Sequence, residues 1–312
     1  MKNILVTGGA GFLGGHLCRT LLNQSHRVFC VDNFFSGRVG NIADLQSNDK
    51  FTLIEHDIVN PLAIDGPLDE VYNLACIASP IGYQQKPIET MLVCSLGVKN
   101  VLDLALAKKA KFLQTSTSEV YGDPQEHPQK ETYWGHVNPI GARSCYDEGK
   151  RFAESLITNY HHQYGLDTKL IRIFNTYGPN MHPSDGRVIS NFISQALAGK
   201  EMTVYGGGRQ TRSFCYVSDL IRGLILMMES RENGPINLGN PGEFTILELA
   251  QIIGRITDSS SVIIHLDLPC DDPVRRRPDI TLASNLLGWQ PEISLEEGLK
   301  LSLPYFKSIL KD

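Results

Sequence analysis

Two side chains near the middle of the chain, Tyr146 and Lys150, stand in a Tyr-x-x-x-Lys arrangement. On a helix that spacing is about one turn, so the phenol and the ammonium share a face. A free tyrosine titrates near pH ~10, too high for a base at neutral pH. Lowering it by about three units takes roughly 4 kcal/mol of differential stabilisation, which two close cations in a dry site can supply. A phenolate held in that way removes a proton from a hydroxyl. A surface Tyr/Lys pair is the plain alternative, because the match is common by chance. What lies upstream decides between them.

Upstream is Gly8-Gly9-Ala10-Gly11-Phe12-Leu13-Gly14, between the run Asn3–Val6 and a helical pattern over 11–22 with Leu13, Leu17 and Leu21 on one face. In this frame Gly8 permits a tight turn, Gly11 lets the backbone approach a pyrophosphate, and Gly14 lets the helix pack closely. The helix N-terminus then turns free N–H groups toward the phosphates. A glycine triplet alone signals only a turn. Here Asp32 ends the next strand, where a carboxylate accepts from a ribose 2′-OH and repels a 2′-phosphate. NAD is therefore expected as cofactor, with Arg38 as the residue that could accommodate NADP. The expected cofactor contacts are Gly8, Gly11, Phe12, Leu13, Gly14, Asp32, Asn33, Asp57, Ile58, Leu74, Ala75, Tyr146 and Lys150. Asp57 could equally cap a turn.

These residues need a scaffold. Strands are expected at 3–6, 27–31, 51–55, 70–74, 111–115 and 169–174, with long helices at 87–107 and 144–164. Such alternation implies right-handed crossovers, hence an α/β fold of Rossmann type, a doubly wound parallel sheet. After Phe174 the pattern breaks at Pro179, Pro183 and Gly186. We expect an NAD-binding domain over 1–174 and a smaller C-terminal substrate-binding lobe over 175–312. Segments around 213–238 are expected to return to the first.

The spacing Gly-x-x-Gly-x-x-Gly, with Tyr146 and Lys150 downstream, resembles the extended short-chain dehydrogenase/reductase family over essentially the whole chain. The resemblance implies that Asn73-Leu74-Ala75 lines the cofactor site. It also implies that Thr117, in Thr115-Ser116-Thr117-Ser118-Glu119-Val120-Tyr121-Gly122, hydrogen-bonds the reacting hydroxyl. Dehydratases of this kind carry Asp-Glu after the threonine, and epimerases usually lack the carboxylate; Ser118-Glu119 points away from both. The blocks around Asn33, Thr117, Trp134, Tyr146 and Asn175, with Asp271-Asp272-Pro273-Val274-Arg275-Arg276-Arg277, resemble the UDP-glucuronate decarboxylases. That resemblance implies a UDP-sugar substrate, transient oxidation at C4, loss of CO2 and re-reduction to UDP-xylose. The catalytic set it implies is Thr117, Glu119, Tyr146, Lys150 and Arg276.

The expected substrate contacts are Tyr83, Ser118, Asn175, Arg187, Val188, Tyr205, Arg212 and Arg276. Arg187, Arg212 and Arg276 are candidates for a diphosphate, because a guanidinium binds it bidentately. Tyr205 is placed against uracil and Tyr83 toward the sugar carboxylate. Three positions depart from the family's usual residues: Ile77, Ala142 and Asn180.

The net charge of −5, with no basic run longer than Arg275–Arg277, argues against nucleic acid as partner. Seven scattered cysteines read as reduced packing residues, and no metal site is expected. No apolar run approaches the roughly 20 residues of a membrane span. With no charged-then-apolar leader, a cytoplasmic protein is expected. The resemblance adds a homodimer built on the helices at 87–107 and 144–164. The competing readings are another UDP-sugar enzyme (4-epimerase, 4,6-dehydratase or a decarboxylase releasing the 4-keto pentose) and a non-catalytic NAD-binding scaffold.

Overall fold

Short runs of β-branched and aliphatic residues form strands β1 (Asn3–Thr7), β2 (Arg27–Asp32), β3 (Phe51–Glu55), β4 (Glu70–Asn73), β5 (Lys111–Thr117) and β6 (Thr168–Ile173). In the computed structural model, which describes residues 1–267 and 275–310, these strands and Ile236–Leu238 make one seven-stranded sheet. The segment Asp271–Val274 lies outside the described residues. The order is Ile236–Leu238, β6, β5, β4, β1, β2, β3, with every neighbouring pair parallel. The strand order reverses between β1 and β4. In a doubly wound sheet the ligand crevice opens at that point, beyond the carboxyl ends of the strands.

Both faces of the sheet are covered, which explains why its strands are apolar almost throughout. Leu5, Val71 and Phe112 lie under Val98, Val101 and Leu102 of one helix and Ala153 and Ile157 of another. On the opposite face, Ile4, Val28 and Leu113 join Leu17 and Leu21 of the Phe12–Asn23 helix and Leu220 and Leu224 of Val217–Glu229. This second cluster continues into the C-terminal lobe through Phe192, Leu249 and Phe306. Each such side chain contributes about 1.5–3 kcal/mol by leaving water.

The Ser144–Tyr164 helix, which carries Tyr146 and Lys150, is fastened to the sheet by a buried ion pair. Arg172 on β6 donates to both carboxylate oxygens of Glu154, at 3.0 and 2.8 Å, and Ser116 on β5 donates to the same group at 2.6 Å. The helix at Pro87–Lys108 is less regular than its periodicity suggests. Pro87–Leu92 and Val98–Lys108 are α-helical, and Val93–Gly97 between them is a π-helical turn. Its charged residues are sparse enough that, by length and a mean hydropathy of 1.5, it could cross a membrane; half of that window is buried inside the molecule. The sequence still holds no contiguous apolar run of that length here, because Lys99, Asn100 and Asp103 interrupt it.

In the C-terminal lobe, Arg275–Arg276 pairs in parallel with Thr211–Ser213, which sets Arg276 beside Arg212. That pairing carries a residue from late in the chain to the mouth of the crevice.

Candidate active site

Every residue singled out above as a site residue except Asn73 borders one cleft of about 1280 Å³ between the sheet's carboxyl edge and the C-terminal lobe. At its cofactor end Gly8 has φ +67°, a left-handed conformation that a side chain strains. A Cβ on Gly8 would also stand 2.8 Å from the Ala75 backbone nitrogen. A Cβ on Gly14 would run into the Gly8 carbonyl oxygen and come within 2.7 Å of Gly9 Cα. Gly14 therefore packs against the turn itself rather than the body of the sheet. Gly11 differs: its Cβ would meet only the Gly8 oxygen, at 3.1 Å. That open side at a helix N-terminus fits a pyrophosphate.

Asp32 is buried at the end of β2 and accepts from the backbone N–H groups of Ala10, at 3.0 Å, and Phe34, at 2.9 Å. Burial raises its pKa, and those two bonds partly offset the effect. Its remaining lone pairs can serve a ribose. Arg38 donates to the Asn180 carbonyl and the Tyr305 hydroxyl, at 3.2 and 2.7 Å, which draws it toward the C-terminal helix. Asp57 both caps and lines: it accepts from Val59 N–H at 2.9 Å and from Asn33 at 3.1 Å. Leu74, Ala75 and Ile58 face the cleft, but Asn73 does not. The Asn73 side chain accepts from Thr7 and donates to Gln114, at 2.5 and 2.7 Å, so it is a cross-strand tie inside the sheet.

At the centre, Thr117 ends β5 and accepts from the Glu119 backbone N–H at 3.2 Å, capping the short Ser118–Tyr121 turn. This leaves its hydroxyl proton to donate, and the hydroxyl lies within hydrogen-bond reach of Tyr146. Lys150 is buried, donates to the Thr115 carbonyl at 2.9 Å, and stands 5.8 Å from the centroid of the Tyr146 ring. The expected lowering of the Tyr146 pKa is not produced by these groups. Burial holds the phenol well above its ordinary value, the charges of Cys76 and Glu119 add to the effect, and Thr117 and Arg187 oppose it. Tyr83 stacks on Tyr146 with centroids 5.0 Å apart and planes 10° from parallel. The Tyr83 hydroxyl is buried and has no partner among the described residues. A buried polar atom left so is a natural contact for a substrate group.

Glu119 lies at the substrate end. Arg276 grips it with two bonds, at 2.5 and 2.8 Å, and Arg143 adds a third at 2.6 Å. Burial alone would raise its pKa, but the two guanidiniums outweigh burial and hold it below the usual carboxylate value. Arg276 is thus committed to Glu119 rather than to a diphosphate. Arg187, Arg212, Asn175, Val188, Ser118 and Tyr205 lie on the same cleft wall. Arg187 is tethered to Asp185 at 3.7 Å, and the buried Arg212 donates to its own strand at the Thr211 carbonyl.

Sequence reasoning missed Arg143 and Asp147. Arg143 stands three residues before Tyr146, one turn earlier, and that spacing was the available signal. Asp147 is buried, with its pKa pushed up to about 7 by burial and then by Glu119, against the pull of Arg143 and Arg276. Nothing in its position next to Tyr146 distinguishes it from a solvated helix residue.

The family model described as GDP-mannose 4,6 dehydratase matches residues 5–301. The UDP-glucuronic acid decarboxylase 1 of Arabidopsis thaliana is 53% identical over 305 residues, 98% of this chain and 70% of that one. The protein of the same name from Danio rerio is 53% identical over 310 residues, 99% of this chain and 74% of its own. The chain belongs to the extended short-chain dehydrogenase/reductase family, among the UDP-glucuronic acid decarboxylases. Among solved structures, a UDP-glucuronic acid 4-epimerase from Bacillus cereus in complex with UDP-glucuronic acid and NAD aligns with a TM-score of 0.88. It is 32% identical, and the alignment covers 98% of this chain and 99% of that one.

Proposed function

We propose that the protein decarboxylates UDP-glucuronate to UDP-xylose with NAD as its bound redox cofactor. The observation that carries this reading is the cluster of Arg143, Glu119 and Arg276 beside Thr117 and Tyr146. Two guanidiniums face Glu119 and Asp147, and burial keeps Asp147 partly protonated, which leaves positive charge at the cleft for a sugar acid. The identity of 53% to decarboxylases, against 32% to the epimerase, supports the same choice.

The glycine turn, the open side of Gly11 and the carboxylate of Asp32 fit a dinucleotide. Bound there, NAD supplies a hydride acceptor that later returns the hydride to C4, and its positive charge favours ionisation of the nearby phenol. Tyr146 removes the C4 hydroxyl proton while Thr117 donates to that oxygen. The resulting C4 ketone is β to the carboxylate on C5, so loss of CO2 leaves an enolate whose charge rests on the C4 oxygen. Thr117 and the now protonated Tyr146 stabilise that charge where it develops. Glu119, held ionised by its two arginines, accepts hydrogen bonds at this end, C5 takes its proton from solvent, and Tyr146 returns its proton to the C4 oxygen as the hydride comes back. Tyr83 closes the wall behind Tyr146 and brings its unpartnered hydroxyl toward the sugar.

The test is incubation of the purified protein with UDP-glucuronate, following released CO2 and identifying the nucleotide sugar by NMR. CO2 with UDP-xylose and no net NADH is the expected result. Epimerised hexuronate without CO2 refutes the reading, and accumulating NADH with a 4-keto pentose confines it to the first half of the reaction.

The same reading includes a cytoplasmic homodimer. Ile88, Leu92, Leu96 and Phe152 are exposed on two adjacent helices, 64%, 41%, 43% and 52% accessible, forming an apolar face suited to a helix bundle. Light scattering of Leu92→Glu should report a monomer where the parent protein is a dimer.

A further inference from the structure

Thiols gather behind the catalytic pair, and the proposed chemistry uses none of them. Cys76 follows β4 on the cleft wall, and its Sγ lies 3.5 Å from that of Cys94. Cys94 sits in the π-helical turn Val93–Gly97, a distortion that recurs at functional positions. Gly149, the neighbour of Lys150, admits that thiol: a Cβ there would stand 3.1 Å from Cys94 Cβ and 3.3 Å from its Sγ. Cys145, a third thiol in the region, instead donates to the Tyr83 carbonyl at 3.5 Å. The hydrogen bond from Cys94 acidifies Cys76 most. Burial opposes it and the Lys150 ammonium adds to it, leaving Cys76 at about 7, while Cys94 is pushed up. A cleft-facing thiol that ionises near neutral pH, with a second thiol beside it, is the arrangement that oxidants select.

We infer that Cys76 and Cys94 form a dithiol that hydrogen peroxide oxidises to a disulfide, reversibly disabling the adjoining Tyr146–Lys150 centre. The Cys76 thiolate attacks one peroxide oxygen, the O–O bond breaks, and the other oxygen leaves as water after taking a proton, giving a sulfenic acid. Cys94 then attacks that sulfur, the S–O bond breaks, and a second water departs. Two thiols lose two electrons in all and one peroxide becomes two waters. A thiol reductant reverses the change. Closing the bond to about 2.05 Å draws the sulfurs together by about 1.5 Å. That moves the cleft wall at Cys76 and the turn packed on Gly149. Displacements of about 1 Å near a reacting centre reduce rates by up to ~100-fold.

The bond itself does not depend on the substrate reading; only its effect on turnover does. Trypsin does not cut between Lys86 and Pro87, so both thiols fall in the peptide 51–99, which holds no other cysteine. The full chain is titrated with hydrogen peroxide, alkylated and digested. The peptide should escape alkylation at both thiols and become about 2 Da lighter than its dithiol form. UDP-glucuronate turnover should fall at least tenfold in step, and dithiothreitol should restore both. Each variant is compared with its own unoxidised activity: Cys145→Ser still switches reversibly, whereas Cys94→Ala gains oxygen at Cys76 without linking. A peptide 51–99 that gains oxygen but never links overturns the proposal. So does a linked peptide with unchanged turnover and unchanged NAD affinity. Should the protein not turn over UDP-glucuronate at all, the peptide mass and NAD affinity still decide the proposal.

Discussion

Replacing Arg143 with methionine removes one of the two guanidiniums on Glu119 and leaves Arg276 in place. The bond lost is 2.6 Å long, between side chains only 16% and 13% exposed. With charge centres about 4 Å apart and an effective dielectric of about 20, the attraction is about 4 kcal/mol. Arg276 tightens in compensation, and a net loss of about 2–3 kcal/mol is in line with a buried charge-assisted hydrogen bond. That loss raises the Glu119 pKa back toward the value burial alone would give it. If catalysis needs ionised Glu119, the acid limb of kcat/KM for CO2 release moves up in pH. Arg143→Lys, which keeps the charge, should hold the limb near its original position. The stability effect follows the same direction. A carboxylate depressed in the folded state adds stability above its unfolded value and loses it as pH falls through the folded one. The stability gap between parent and Arg143→Met should therefore narrow in acid. A variant whose kcat/KM drops by one factor at every pH, with its acid limb unmoved, would show Arg143 to be structural support only.

Tyr146→Phe keeps the stack on Tyr83 but removes the proton acceptor; turnover should fall by about 10²–10⁴ with NAD binding and melting temperature little changed. Full turnover in this variant would sink the redox mechanism. Gly14→Ala drives a methyl group into the Gly8–Gly9 turn, and we expect about 1–3 kcal/mol lost in chemical denaturation together with weaker NAD binding in calorimetry. Asp147 has a folded pKa raised to about 7, so its ionisation costs stability progressively as pH rises from about 4 through 7. Asp147→Asn should be more stable than its parent at pH 8 and lose that advantage near pH 4, as read from melting curves at both.

Local patterns made much of the fold legible. The strand at 51–55 and the helix at 144–164 agree with the structure to the residue, because alternating apolar pressure and clear turn residues bound them. The helix at 87–107 was visible as one element, but its π turn was not, since that turn answers to what packs against Cys94 and Gly97. Asn73 looked like a cofactor residue from its neighbours Leu74 and Ala75. Strand alternation turns it to the sheet interior instead, onto Thr7 and Gln114.

By itself the sequence determined the chemistry on offer. Gly8, Gly11 and Gly14 mark a close approach of backbone, Asp32 marks the strand end, and Tyr146 and Lys150 share a helical face through spacing alone. These are short-range facts, carried by φ preferences and by helix and strand periods. Only the tertiary structure decided what surrounds the phenol and the carboxylate. Arg276 lies 157 residues from Glu119 in the chain and reaches it because a short strand pairs beside Thr211–Ser213. Arg143 joins them from the start of the catalytic helix. The balance of burial against charge that keeps Glu119 ionised, raises Asp147 and holds Tyr146 protonated depends on distances across the cleft. Electrostatic energy varies with those distances and with exclusion of water, and neither is written in residue spacing.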